Sequence, residues 1–296
     1  MFNSLSKREK KKLITAILCI AVILFCVVFE LYENNKRRSL IGDEYAAVHF
    51  IDAGQGDCTL IETSDGKFAI IDASTQDASD KITDYLKDRN VKEIEFILFT
   101  HPHEDHIGCG DEIINEFKVK TVYMNKVTQN TSAYENVINA IKKSKGKYGT
   151  KLLNPREGDT ISLSDLEFTI LSDGSGYGDN INNSSICVKL EYGKSSFLFT
   201  GDAEKEVEED LLESDFNVEA DVYHCGHHGS STSNSEDFLD EVSPDISVIS
   251  CGTDNSYGHP HTEVIKALNK MDVDIYQTNK DGDIVIVFDK KSISVK

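Results

Sequence analysis

The sequence predicts an α/β domain of two facing sheets with helices on both outer sides, an αββα sandwich, preceded by one membrane-spanning helix. Three observations carry this. A single uncharged apolar run occupies residues 13–29. From residue 45 onward, short apolar strand-like runs alternate with helical spacing, with no linker or low-complexity tract between them. Charge also divides the chain: residues 1–38 carry eight Lys/Arg and three Glu, and the remaining 258 carry 23 Lys/Arg and 48 Asp/Glu. A piece of +5 therefore precedes a piece of −25. With 296 residues, 39% of them hydrophobic, the chain is long enough to bury a large core, and its composition excludes a collagen, a coiled coil, a disordered polymer and a multi-span membrane protein.

The first element is the run LITAILCIAVILFCVVF, about 25 Å long as a helix, which is the short end of a membrane span. Leu31 and Tyr32 extend it if Glu30 snorkels towards the headgroups. A cleaved signal peptide fits less well, because the run is longer than a usual signal core and no small-x-small site precedes ELYENNKRRS. Neither Cys19 nor Cys26 follows the small residue that a lipoprotein signal requires. The reading is a basic cytoplasmic segment over 1–12, a transmembrane anchor over 13–32, a linker over 33–44 and a folded domain over 45–296. Five cations before the span against three after it place the amino terminus in the cytoplasm and the domain outside the cell, at a plasma membrane. The five cysteines outside the span, Cys58, Cys109, Cys187, Cys225 and Cys251, are odd in number and lack CxxC spacing, so they read as buried free thiols.

Within the domain, strands are expected at 46–51, 58–63, 67–71, 93–100, 121–124, 166–171, 185–191, 195–200, 220–224, 246–250 and 283–288. Tight turns at AGQGD (53–57) and SDGK (64–67) make the first three an antiparallel meander. Helices are expected at 78–89, 110–117, 133–144, 204–213, 235–242 and 262–271. The first of them shows Ile82, Tyr85, Leu86 and Arg89 at i, i+3, i+4 and i+7.

The polar residues fall where the strands stop. FILFT runs into HPHEDH, SFLFT into Gly201-Asp202, and ADVYH into Cys225-Gly226-His227-His228. Side chains at the ends of buried strands are held rigidly and converge, which is where a site belongs. His101, His103, Asp105 and His106 lie within six positions, directly after a strand. Imidazole and carboxylate in that density suit zinc, manganese or iron at an open site, and burying so much polarity without a cation would be costly.

This His-x-His-x-Asp-His pattern resembles the signature of the metallo-β-lactamase-fold hydrolases. The resemblance implies a four-layer αββα sandwich and a binuclear site. His101 and His103 would bind one metal, Asp105 and His106 the second, and Asp202 both. Either His227 or His228 would complete the second metal. His227, nearer the strand end, is favoured, which leaves His228 facing substrate. The family places a further His on the first metal, but none stands between His106 and His224. The loop 172–185 offers Asp179, Asn182, Asn183 and Ser184 instead, so water or an asparagine oxygen is expected there. FIDAGQGDCTLIE (50–62), the NNSS segment with its strand (182–190), FLFTGDAE (197–204), GHHGSSTS (226–233) and YGHPH (257–261) together resemble the soluble domain of ComEC competence proteins and their standalone relatives, which also lack the middle His. The multi-span channel and oligonucleotide-binding portion of that family are absent from this sequence, so DNA transport is not implied.

Two divalent ions, zinc or manganese, are the cofactors that the resemblance implies, and phosphodiester cleavage is the activity. Asp105, His228, His259 and His261 are the catalytic candidates, with Asp57, Asn183 and Ser230 as orienting or substrate-contacting groups. Asp57 is expected to orient the first-motif histidines, or simply to cap its turn. His259 or His261 could protonate a leaving alkoxide or bind phosphate, while His49 and His224 read as structural. The expected function is a surface-anchored phosphodiesterase or nuclease. Nucleic acid is the candidate substrate and the membrane a partner through the first helix. The −25 charge opposes a DNA substrate, since DNA binding rests on basic surface and the run Lys142, Lys143, Lys145, Lys147 and Lys151 reads as a solvated helix end. A hydrolase of another surface phosphoester, such as a phosphocholine ester, and a metal-poor binding scaffold are the alternatives.

Overall fold

The computed structural model describes residues 6–41 and 45–296, which form two compact units, Met1–Asp43 and Glu44–Lys296. The first unit is helix α1, Lys7–Ile41. Its segment Lys11–Phe29, with mean hydropathy 2.9, is long and apolar enough to cross a membrane. Residues 33–41, expected as linker, continue the helix. Nothing breaks it, because the stretch contains no Pro or Gly before Gly42. Residues 1–5 and 42–44 of the expected basic segment and linker lie outside the described residues.

The second unit is a four-layer αββα sandwich. One sheet contains β1 (Ala46–Phe50), β2 (Thr59–Glu62), β3 (Phe68–Ile71), β4 (Glu93–Leu98), β5 (Lys118–Tyr123), β6 (Lys151–Leu153), β14 (Ile284–Phe288) and β15 (Ile293–Val295), in the order β15-β14-β1-β2-β3-β4-β5-β6. The other contains β7 (Thr160–Leu163), β8 (Leu166–Ser172), β9 (Cys187–Tyr192), β10 (Ser195–Phe199), β11 (Val222–His224), β12 (Ile246–Ile249) and β13 (Asp274–Gln277), in the order β13-β12-β11-β10-β9-β8-β7. The meander β1-β2-β3 pairs antiparallel, with Leu60 opposite His49 and Ile70. From β3 to β6, and from β10 to β13, neighbours run parallel, so each needs a crossover.

Helices supply most of those crossovers. α2 (Ser79–Asp88), α4 (Gly110–Glu116) and α5 (Ser132–Tyr148) cover the first sheet; α6 (Lys205–Glu213), α7 (Glu236–Val242) and α8 (Thr262–Lys270) cover the second. One-turn helices α3 (Glu104–Ile107) and α9 (Thr278–Asp281) were not expected; four residues carry no readable period. The helix α5 is the best delimited: the Thr131 hydroxyl accepts from the Tyr134 N–H at its start, and Gly149 at φ 77° ends it.

Three apolar clusters fill the three interfaces between layers. The central one, between the sheets, is aromatic, with Phe197 4.7 Å from Phe288 and Phe96 edge-on to Phe168 at 5.2 Å. Strands β3 and β4 are parallel neighbours, as are β10, β11 and β12, so their carboxyl ends lie together within each sheet. All five expected free cysteines outside α1 are buried thiols.

Candidate metal centre

The other five expected ligands, together with His228, gather around Asp202. After β4 the chain passes through Thr100, His101 and His103 into α3, which carries Asp105 and His106. After β10 it turns at Gly201 to present Asp202. Gly201 has φ 54°, and a side chain there would sit 2.8 Å from Thr100, so only glycine lets the two strand ends approach. After β11 comes the turn Gly226–Gly229, where His227 and His228 both adopt left-handed backbone, φ 53° and 54°. Two consecutive non-glycine residues in that region store strain, offset in part by the bonds His227 N–H to Gly201 O (2.9 Å) and Ser230 N–H to His227 O (2.8 Å).

The two oxygens of Asp202 face different partners. Oδ1 lies 3.1 Å from His106 Nε2 and 3.8 Å from His228 Nε2, and His228 Nε2 is 3.2 Å from Asp105 Oδ2. Oδ2 lies 3.7 Å from His101 Nε2 and 3.5 Å from His227 Nε2, and His101 Nε2 is 3.0 Å from His103 Nδ1. Asp105, His106, Asp202 and His228 thus offer donor atoms within 4.8 Å of one another, as do His101, His103 and Asp202. Two donor groups share one carboxylate.

Both groups suit cations. His106 Nε2 and Asp202 Oδ1 are buried and face one another at 3.1 Å without the alignment of a hydrogen bond, and neither has another partner among the described residues. Burial pushes the Asp202 carboxyl up, but His106, His228 and His101 outweigh it and hold the group well below its ordinary range. Burial likewise lowers His106, yet Asp202 and Asp72 raise it well above its ordinary value. The carboxylates therefore demand positive charge at this point, which protons or metal ions supply. His101 is held neutral, first by burial and then by His106, leaving a lone pair.

Behind His106, His101 and His228 a second group fixes the orientation of the ring. Asp72, at the end of β3, accepts from His106 Nδ1 at 2.8 Å and from the Thr100 N–H and hydroxyl at 2.8 and 2.7 Å. The Ser185 hydroxyl stands 3.2 Å from His101 Nδ1 and accepts from the Asp202 N–H at 3.0 Å. His228 Nδ1 donates to the Ser250 carbonyl at 3.0 Å, with Asp57 Oδ1 3.1 Å away. Such contacts set the tautomer and the aim of a ligating imidazole.

Several expectations need correction. His228, not His227, stands with Asp105 and His106, while His227 Nε2 faces Asp202 Oδ2, the oxygen that His101 Nε2 also faces. The left-handed turn faces the adjacent rings towards different oxygens of Asp202, His227 Nε2 towards Oδ2 and His228 Nε2 towards Oδ1. Asp57 approaches His228 Nδ1 most closely, at 3.1 Å, stands 3.8 Å from His224 Nε2, and also offers an oxygen within 4.8 Å of a His106 nitrogen. Asn183 faces away: its amide donates to Glu206 and its oxygen accepts from the Glu204 N–H. Ser230 is buried and bonded to Thr232. His261 accepts from the Ser231 N–H and donates to the Tyr257 carbonyl, so it clamps a loop. His49 and His224 are indeed packed among polar neighbours, Tyr85 and Ser250 respectively.

A cavity of about 350 Å³ opens over the centre, lined by Gln55, His103, Glu104, Asp105, Asn182, Asp202, His227, His228, Tyr257 and His259. Among the described residues no Lys or Arg lines it. Burial, then His228, His227 and His261, lowers His259 to about 4, so its ring is neutral at pH 7, and its Nδ1 has no partner among the described residues. Gln55, Asp72, Glu104 and Tyr257 escaped the sequence reading. Asp72 was findable, since it follows the strand 67–71 as His101 follows 93–100.

The sequence matches the metallo-beta-lactamase superfamily over residues 51–253. The chain belongs to this superfamily. ComE operon protein 3 of Bacillus subtilis (strain 168) is 27% identical over 302 residues, covering 96% of this chain and 37% of that protein. Recombination protein 2 of Haemophilus influenzae is also 27% identical, over 294 residues, covering 97% of this chain and 34% of that protein. The chain thus spans little more than a third of the length of these curated relatives. Among solved structures, the metallo-beta-lactamase fold protein YhfI from Bacillus subtilis superposes with a TM-score of 0.54 at 12% identity, covering 83% of this chain and 100% of that one. That likeness is one of fold. The similarity to competence proteins, read first from five short segments, extends over most of this metallo-beta-lactamase superfamily chain.

Proposed function

We propose that this protein is a two-metal phosphodiesterase that cuts nucleic acid, held at the plasma membrane by α1 with residues 45–296 outside the cell. The observation that carries the reading is the division of Asp202, one oxygen towards Asp105, His106 and His228 and the other towards His101, His103 and His227, beneath an open cavity. One divalent ion, zinc or manganese, would be held by each set. When bound, such ions lower the pKa of water and offset charge on phosphoryl oxygens. The protein's own groups do the rest. Asp105 and Asp202 fix the position of the positive charge, and Asp72, Ser185 and Asp57 keep the imidazoles aimed. Neutral His259 presents one N–H or one lone pair to the cavity, enough to hydrogen-bond a phosphoryl oxygen or to accept a hydrogen bond from water there.

Cleavage of bis-p-nitrophenyl phosphate by the purified chain with zinc or manganese, lost in Asp202→Ala, tests the reading; no cleavage with either metal overturns it. A second reading, a hydrolase of choline phosphoesters, rests on the cavity lining, which offers carboxylates and a tyrosine but no Lys or Arg. Competition between an oligonucleotide and glycerophosphocholine separates the two. The scaffold alternative is tested by elemental analysis, since two tightly bound metal ions per chain would rule it out.

A further inference from the structure

We propose that Tyr257 is a stacking platform for an unpaired nucleobase beside the scissile phosphate, which makes single-stranded nucleic acid the preferred substrate. The inference rests on the phosphodiesterase reading and adds the form of the substrate to it. Tyr257 is 65% exposed, the most exposed large apolar side chain among the described residues of 45–296, and it lies on the rim of the metal-centre cavity. An apolar ring left in water at the mouth of a site is surface that a ligand can cover.

The ring is also held ready. One face stacks on His259, with centroids 5.6 Å apart and planes 20° apart. The loop beneath it is braced by Asn255, whose amide donates to the Gly252 and His259 carbonyls (2.9 and 2.7 Å) and whose oxygen accepts from the His259 N–H (2.9 Å). His261 donates to the Tyr257 carbonyl at 3.3 Å. An aromatic fixed before binding gives up little entropy when a partner stacks on it.

The charge of the cavity says what kind of contact is needed. Nucleic-acid sites ordinarily gain affinity from Lys and Arg at phosphates, yet this lining has none and carries Glu104 at the rim. A neutral, flat base on Tyr257 supplies affinity that the missing cations do not, and base–aromatic stacking tolerates any sequence. In a duplex both faces of each base are already stacked, so only an unpaired strand offers one. A single ring lying flat on His259 also suits a planar group better than a rounded quaternary ammonium, which is usually enclosed by several aromatics.

The test compares KM for a short single-stranded oligodeoxynucleotide with KM for the same strand made abasic on both sides of one phosphate, using the full chain in detergent with zinc or manganese. Loss of the bases is expected to raise KM about 10-fold for the unaltered protein. In Tyr257→Ala this ratio falls to about 1, and in Tyr257→Trp it returns. A ratio unchanged in Tyr257→Ala, a duplex cut as readily as the single strand, or a Tyr257-dependent preference for glycerophosphocholine overturns the platform. In those cases bis-p-nitrophenyl phosphate is still cleaved and the hydrolase reading stands. If neither that ester nor any strand is cut with either metal, both inferences fall together.

Discussion

His101, His106, His227 and His228 each have Nε2 at the centre and Nδ1 held from behind, and the residue behind His106 is the most telling. Asp72 is buried, bonded to His106 and doubly bonded to Thr100, and it makes no contact with the cavity. Replacing it with Ala frees the His106 ring to rotate and leaves the Thr100 N–H without its acceptor. Metal affinity should fall roughly 10- to 100-fold, measured by competition with a chromophoric chelator; an unchanged affinity would show that His106 is aimed by something else. The exchange of His227 and His228 makes a second residue-level prediction. His227→Ala should cost the ion nearest His101 and His103 and spare the other, so elemental analysis finds about half the metal of the unaltered chain. Equal loss of both ions would mean that His227 serves neither group separately. Sequence could show that an adjacent pair of histidines follows β11. It could not show which ring turns which way, because that depends on left-handed backbone at both, a conformation that the histidine side chain does not announce.

At the scale of elements, the long buried strands were legible and the short outer ones were not. The runs 93–100 and 195–200 end in the apolar stretches FILF and FLF before polar residues, and they became β4 and β10 with the site at their ends. The strands β6, β7, β13 and β15 were missed. Each has three or four residues and sits at or next to a sheet edge, where half the side chains face water and no pattern accumulates. All three residues of β6 are exposed. The β10 end also carries an element-level prediction. In Gly201→Ala the new methyl meets Thr100 at 2.8 Å while the backbone keeps a left-handed φ, so the turn must shift. Stability should drop by about 1–3 kcal/mol, read as a lower Tm, with metal lost from both groups because Asp202 moves. A drop in Tm with metal content intact would place Asp202 independently of this turn.

For the molecule as a whole, the metal centre ties stability to pH in a definite direction. Burial lowers His106 and His228, but Asp202 and Asp72 at the first and Asp57 and Asp202 at the second raise both well above the ordinary 6.5. A raised histidine stabilises the metal-free fold fully below 6.5, and that contribution disappears as pH climbs through the folded-state value. Metal binding goes the opposite way, since it needs deprotonated imidazole and strengthens as pH rises. The Tm difference between metal-loaded and metal-free protein should therefore widen steadily on the alkaline side of 6.5; a constant gap would mean that ions do not replace protons at these rings. Charge gives the last prediction. A domain of −23 (residues 45–296) with no cation lining its cavity meets a polyanionic strand against its own field. Ordinary nucleic-acid binders weaken steeply as salt rises, because their affinity comes from displaced counterions. In this protein the long-range term is repulsive, and added salt screens it over a Debye length of about 10 Å at 0.1 M. KM for a single strand should stay level or fall as salt is raised from low to physiological ionic strength. A steep rise in KM would reveal a basic strand-binding surface that the cavity lining does not contain, and would transfer recognition from stacking at Tyr257 to the exposed lysines near the end of α5.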